Sequence, residues 1–178
     1  MPRLKVVDPK TATGKVKELF DGPLKAKQIN IMKGIANSPA ALQAYVGMSS
    51  ALAGGLLSLK EREIIMLVVG EKNDCQYCLA AHTAVAKNAG LTEEQTIEFR
   101  RGNGIQDEKL DALMDFVGAI HETKGFIEDW QLESFMKVGY TEAHVVEVIA
   151  NYALAIYTNI FNHVNDTEID FPPAPEIY

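Results

Sequence analysis

The sequence has only two cysteines in 178 residues, and it has no proline between Pro39 and Pro172. Two cysteines cannot form the disulfide framework of a small secreted domain, and a chain of this length buries a core without one. No apolar signal region follows the opening MPRLKVVDPK, so we expect a reducing compartment, most simply the cytoplasm. The lack of internal proline means that no residue there must interrupt a helix.

Positive charge and long hydrophobic runs are also scarce. Seventeen basic residues face 24 acidic ones, and the net charge is −7 without a long run of either sign, which disfavours nucleic acid as a partner. The most apolar segment, 145–161, contains Glu147, Asn151 and Asn159 and is shorter than the roughly 20 residues that span a bilayer. We therefore expect no membrane partner, and we predict a core or subunit-interface helix here.

Capping residues and glycines predict an all-α chain. Ser38 precedes a proline at the first helical position, and Ser58 and Thr92 each precede a glutamate or glutamine by three residues, as capping boxes do. Glycines fall where the following helices would end. The predicted helices cover 13–21, 39–53, 59–70, 75–89, 93–101, 107–124, 129–138 and 142–163. We expect one domain over 1–178, with 1–35 as an N-terminal extension and 164–178 as an extended tail.

One segment has an alternative interpretation. The sequence EIIMLVVG at 63–70 is rich in β-branched residues, and a buried strand before the cysteines would start a thioredoxin-like fold. The capping box at Ser58 favours a helix instead. The chain also lacks a proline between 40 and 171 for the cis-proline loop of such folds, so we predict a helix.

Cys75, Cys78 and His82 share one face of the predicted helix 75–89, because they are spaced i, i+3 and i+7. The positive end of the helix stabilises a thiolate near its start, and an adjacent imidazole can accept the proton. Two thiols at CxxC spacing can close a disulfide. This arrangement suits reduction of a peroxide, in which one cysteine is oxidised to a sulfenic acid and the other captures it.

Other roles for the cysteines remain open at this stage. They could be a buried structural pair, or they could bind zinc with His82 and a fourth ligand from His121, His144 or His163. A c-type haem is excluded because Leu79, and not histidine, follows Cys78. We predict no cofactor and no metal.

Glu63 is the candidate general base. It stands on the preceding helix beside Ile64, Ile65, Met66 and Leu67, and a partly buried carboxylate there would suit proton transfer. The alternative is that Glu63 faces solvent as part of the charged patch KERE.

These residues resemble the pattern E-x11-C-x-Y-C-x3-H of the carboxymuconolactone decarboxylase-like superfamily, in its AhpD-like alkylhydroperoxidase branch. The resemblance is specific over 63–90 and extends in outline from about 40 to 163. It implies an all-helical AhpD-like bundle assembled into trimers or hexamers, and a thiol peroxidase site.

The resemblance also implies residue roles. Glu63 and His82 would form a proton relay, Cys78 would meet the peroxide, and Cys75 would resolve it. Position at the helix start favours Cys75 as the more acidic thiol, but the assignment follows the family. Some family members have histidine where this chain has Tyr77, and we expect Tyr77 and His163 to line the substrate site.

The function expected from the sequence is a cofactor-free hydroperoxide reductase. It would act on a small-molecule hydroperoxide, be regenerated by an external dithiol, and form a homo-oligomer. Two alternatives are decarboxylation of a γ-lactone, which needs no disulfide pair, and a redox sensor whose disulfide changes a partner surface without turnover.

Overall fold

The computed structural model describes residues 1–177, and this part of the chain contains nine α-helices and no strand. The predicted all-α class is therefore confirmed, and eight helices match their predicted bounds to within two residues. The helices are α1 (Gly14–Asp21), α2 (Asn30–Ile35), α3 (Pro39–Ala53), α4 (Leu59–Lys72), α5 (Gln76–Asn88), α6 (Glu93–Arg101), α7 (Glu108–Thr123), α8 (Asp129–Lys137) and α9 (Glu142–Asn165).

The predicted caps form as expected. Ser38 Oγ accepts a hydrogen bond from the backbone N–H of Ala41, and reciprocal capping boxes start α4 at Ser58 and α6 at Thr92. Helix α2 was not predicted. It is only six residues long, and its N-cap, Ile29, provides no side-chain cap, so the sequence has no local signal for it.

Helix α4 lies at the centre of the fold and packs against α5, α6, α7 and α9. Every residue from 63 to 70 is buried. A helix buried on all sides is apolar on all sides, which explains the β-branched run that also fits a strand. The strand alternative is therefore wrong.

Apolar side chains form two clusters. The larger one surrounds α4, α7 and α9 and includes the ring of Phe135, which stacks on Phe116 and Tyr140 with centroid distances of 4.4 and 4.2 Å. The smaller one joins α1, α2 and the start of α3 to Cys75 and Cys78. The N-terminal segment, through α1 and α2, thus packs directly against the two cysteines.

The chain after α9 has no helix as far as residue 177, and it runs back over α2. Asn30 holds it there: its backbone N–H donates to Asp170 Oδ2 at 2.8 Å, and its Nδ2 donates to the carbonyl of Glu168 at 3.1 Å. Farther along, Arg100 Nη1 donates to the carbonyl of Pro175 at 2.6 Å. Within residues 1–177, no helix combines the length and apolarity needed to cross a membrane.

Candidate functional site

The turn between α4 and α5 places the two cysteines together. Asp74 adopts a left-handed backbone with φ of 52°, which aspartate tolerates better than most residues, and Cys75 is the N-cap of α5. The Cα atoms of Cys75 and Cys78 lie 5.3 Å apart, and their sulfur atoms are joined in a disulfide. Both residues are almost completely buried.

His82 lies one turn beyond Cys78 on α5 and contacts Glu63 of α4. Its Nδ1 is 2.7 Å from Glu63 Oε2, and Glu63 is only 7% exposed. The alternative of a solvent-facing Glu63 is therefore wrong. A carboxylate at this depth requires a hydrogen-bond donor, and because Nδ1 serves that purpose, the other ring nitrogen, Nε2, remains for proton exchange.

A cavity of about 350 Å³ lies beside these groups, and its walls include Glu63, Cys78 and His82. Most of the other lining side chains are apolar and come from α2, α3, α4 and α9. Tyr45 also lines it, and burial together with the charge of Glu63 raises the pKa of its hydroxyl. That hydroxyl is therefore protonated at neutral pH.

Two asparagines of α9, Asn159 and Asn162, contact the sulfur atoms of the cysteines. Nδ2 of Asn159 is 3.0 Å from Cys78 Sγ, and Nδ2 of Asn162 is 3.3 Å from the same atom and 3.9 Å from Cys75 Sγ. Sequence reasoning missed both. The available signal was their spacing of three residues, which places both amides on one face of the predicted helix.

Tyr77 ties the tail to the site. Its hydroxyl donates to Asp170 Oδ1 at 2.8 Å and accepts from the backbone N–H of Ile31 at 3.3 Å, while its ring meets that of Phe171 edge-on. Burial and then this bond to Asp170 raise the pKa of Tyr77. The bond therefore persists below about pH 10, the ordinary tyrosine value, and its contribution to stability is lost only as the pH rises above that value.

His163 does not line the cavity beside Cys78. It is exposed and lines a second cavity, of about 530 Å³, together with Cys75, Tyr77 and Asn162.

The two remaining histidines lie away from the cysteines: His121 contacts the hydroxyl of Tyr152, and the ring of His144 caps the start of α9. Within residues 1–177, no group of three or more His, Cys, Asp or Glu side chains is placed to hold a metal ion.

Known proteins resemble this chain both in sequence and in fold. Residues 39–107 match the Carboxymuconolactone decarboxylase family. The fold is similar to that of a peroxidase-related protein described as an alkylhydroperoxidase AhpD core, from Ralstonia eutropha JMP134, with a TM-score of 0.85 and 17% identity over 95% of this chain and 92% of that one. The expected resemblance to the carboxymuconolactone decarboxylase-like superfamily is confirmed over residues 39–107, and the fold is AhpD-like.

Two further structures share the AhpD-like fold. A peroxidase-related protein from Silicibacter sp. TM1040 has a TM-score of 0.81 and 20% identity over 96% of this chain and 90% of that one. A variant of the debrominase Bmp8 in complex with 2,3,4-tribromopyrrole has a TM-score of 0.78 and 14% identity over 96% of this chain and 94% of that one. No curated protein sequence matches the chain.

The AhpD-like fold thus brings together most of the predicted site. Glu63, Tyr77, Cys78 and His82 border one cavity, and Cys75 is bonded to Cys78. His163 is the exception, and its role in binding substrate stays a prediction.

Replacing Tyr77 should loosen the tail. In Tyr77→Phe, the bond to Asp170 is lost, and a hydrogen bond to a charged group contributes roughly 1.5 kcal/mol or more. We expect the backbone amides of Asn30 and Ile31, which donate to Asp170 and to the Tyr77 hydroxyl, to exchange hydrogen about tenfold faster, measured by mass spectrometry. Tyr157→Phe, at an exposed ring on α9, is the control, and equal exchange in the two variants would contradict the assignment.

Proposed function

We propose that this chain is a thiol-dependent hydroperoxide reductase that cycles through a Cys75–Cys78 disulfide. One observation carries the proposal: Cys78, which is bonded to Cys75, borders a cavity that also contains a hydrogen-bonded Glu63–His82 pair. Such a site combines a two-electron donor with a group that moves protons, and peroxide reduction requires both.

The oxidation of the protein takes place in two steps. His82 accepts the thiol proton of Cys78, and the thiolate attacks the terminal oxygen of ROOH, the one that carries hydrogen, so that an S–O bond forms and the O–O bond breaks. The leaving alkoxide takes the proton from His82 and departs as ROH. The thiol of Cys75 then attacks the sulfenic acid of Cys78, the S–O bond breaks, and water leaves as the disulfide forms.

Glu63 supports the proton transfer by holding His82. Its carboxylate stabilises the imidazolium that exists between the two transfers, and it fixes the ring so that Nε2 exchanges the proton. This role follows from the 2.7 Å contact at Nδ1.

Regeneration requires an external dithiol. A dithiol exchanges with the disulfide, becomes a disulfide itself, and returns both cysteines to thiols. The dithiol must reach sulfur atoms that are buried in the oxidised protein, so this step requires local opening of the structure. The second cavity, which Cys75 lines, offers a route for the dithiol to that sulfur.

Reductive debromination is the second candidate activity. The cavity beside Cys78 is lined largely by apolar side chains, as an aromatic ligand requires, and the fold is shared with the debrominase Bmp8. The electrons balance in the same way, because replacing C–Br by C–H consumes two thiols and yields a disulfide and HBr.

We also propose that the chain self-associates, as a trimer or hexamer, through α3 and α9. Helix α3 contains no charged residue, and only Leu42 of it is buried. Exposed apolar side chains follow one stripe of α9, and a groove with almost no polar surface runs between the two helices. Interfaces between identical subunits are more apolar than the remaining surface. We therefore expect a second copy of this chain to bind in the groove between α3 and α9.

Thiol counting tests the redox cycle. One equivalent of cumene hydroperoxide should remove both free thiols of the reduced protein, and a dithiol should restore them. Cys78→Ser should keep its remaining thiol, whereas Cys75→Ser should be oxidised once per chain to a sulfenic acid. The corresponding alcohol, which has no O–O bond, is the control.

Three outcomes of that experiment would change the proposal. Sustained turnover by Cys78→Ser would reject the assignment of the attacking thiol. Thiol loss without steady-state peroxide consumption in the presence of a dithiol would indicate a sensor. Thiol loss with 2,3,4-tribromopyrrole but not with hydroperoxide would favour debromination.

Removing the Glu63 carboxylate should slow the reaction. In Glu63→Gln, the imidazolium loses its charged partner, and we expect kcat/KM for hydroperoxide to fall about 100-fold, within the usual range for general acid–base groups. Glu71→Gln is the control, because Glu71 lies on the same helix and pairs with Arg100. An equal decrease in both variants would show that Glu63 acts only through stability.

Sedimentation tests the interface. The wild-type chain should sediment well above the 19.6 kDa of one copy, and Tyr157→Glu should shift it toward that mass, because a buried unpaired charge opposes association. Trp130→Glu, at another exposed aromatic residue, should leave the mass unchanged. A monomeric wild type would contradict the proposal.

A further inference from the structure

The two asparagines of α9 favour one sulfur over the other. Cys78 Sγ receives a side-chain amide N–H from Asn159 at 3.0 Å and another from Asn162 at 3.3 Å, whereas Cys75 Sγ has, among the side chains of residues 1–177, only the amide of Asn162 nearby, at 3.9 Å. The two residues are three apart, so their side chains project from the same face of the helix.

A third asparagine orients the first. Nδ2 of Asn73, at the end of α4, donates to Oδ1 of Asn159 at 2.9 Å. The carbonyl end of the Asn159 amide therefore accepts from Asn73, and its NH₂ end points at Cys78 Sγ. Rotating the Asn159 amide alone by 180° would place two NH₂ groups together and lose both hydrogen bonds.

Packing alone does not explain these amides. Asn159 is 2% and Asn162 4% exposed, and Oδ1 of Asn162 has no hydrogen-bond partner among the described residues. A buried amide with an unmatched acceptor destabilises a fold relative to an apolar side chain of the same shape. The benefit of Asn162 must therefore lie in what its NH₂ group contacts, which is sulfur.

We propose that Asn159 and Asn162 bind the thiolate of Cys78 in the reduced protein, and that they thereby select Cys78 over Cys75 as the attacking thiol. A hydrogen bond to a disulfide sulfur is weak, but the same donor becomes charge-assisted when the sulfur carries a full negative charge. The amides consequently favour the charged form of Cys78. They also favour the reduced form of the pair over the disulfide.

This inference deepens the proposed function, and it relies on that function only for the use to which the thiolate is put. The acidity of Cys78 can be measured without any substrate. It also explains why Cys78 would be the attacking thiol, as the family resemblance implies, although the position of Cys75 at the helix start favours Cys75 as the more acidic one.

The first experiment measures the thiol of Cys78 alone, in a Cys75→Ser background. The rate of alkylation by iodoacetamide is followed as a function of pH, which reports the thiolate fraction. Asn159→Leu and Asn162→Leu remove the donors at nearly constant side-chain shape. Each should raise the pKa of Cys78 by about one unit, which lowers the thiolate fraction roughly tenfold below that pKa.

Asn165→Leu is the matched control. Asn165 is another buried asparagine of α9, but its amide contacts Thr167 and the backbone of Leu4, away from the sulfur atoms. This change should leave the thiol pKa unaltered. The inference is overturned if the Asn159 and Asn162 variants titrate like the control.

A second measurement uses both cysteines and covers the case in which the Cys75→Ser variants do not fold. The disulfide is equilibrated with a series of dithiol buffers, and the fraction reduced is counted. Losing one amide donor should shift the equilibrium about tenfold toward the disulfide, which corresponds to roughly 30 mV for a two-electron couple. No shift relative to Asn165→Leu would overturn the inference.

The two proposals fail in different ways. If the thiol pKa and the equilibrium shift as expected while the wild type consumes no hydroperoxide, the thiolate site is supported and the peroxidase activity is rejected. If the wild type turns over hydroperoxide and neither quantity shifts, the activity stands and the role of the asparagines is rejected.

Discussion

The burial of α4 on every side is the constraint on which the remaining structure depends. Helices from both halves of the chain pack around it, and all of its residues from 63 to 70 are buried. A carboxylate placed in that run must have a partner because an isolated buried charge is strongly unfavourable. His82 provides the partner, so packing around α4 also sets the position of the Glu63–His82 pair beside Cys78.

The cysteines lie where two apolar clusters meet. The larger cluster surrounds α4, whereas the smaller one joins α1 and α2 to Cys75 and Cys78. The tail, held through Asp170 by Tyr77 and Asn30, places Phe171 at the cavity wall. Both ends of the chain therefore enclose the site, and segments far from the CxxC motif in sequence cover the two sulfur atoms.

Three polar residues within α9 make specific contacts with distant parts of the chain. Glu147 accepts hydrogen bonds from the backbone N–H groups of Leu56 and Leu57, and so ties the loop before α4 to α9. Asn159 and Asn162 contact sulfur. In the sequence, Glu147 and Asn159 argued only against a membrane span. Their individual partners lie 80 or more positions away, so a local pattern contains no information about them.

The sequence by itself determined the helices that begin with a side-chain cap, the CxxC pair, and the spacing that puts His82 on the same face. These features depend on contacts within a few residues, and local chemistry is sufficient to predict them. Only the tertiary structure decided that Glu63 faces His82, that His163 lines a different cavity, and that α2 and the tail close the site. Those outcomes depend on which surfaces meet when distant helices pack, and burial against a particular neighbour is not encoded at any single position.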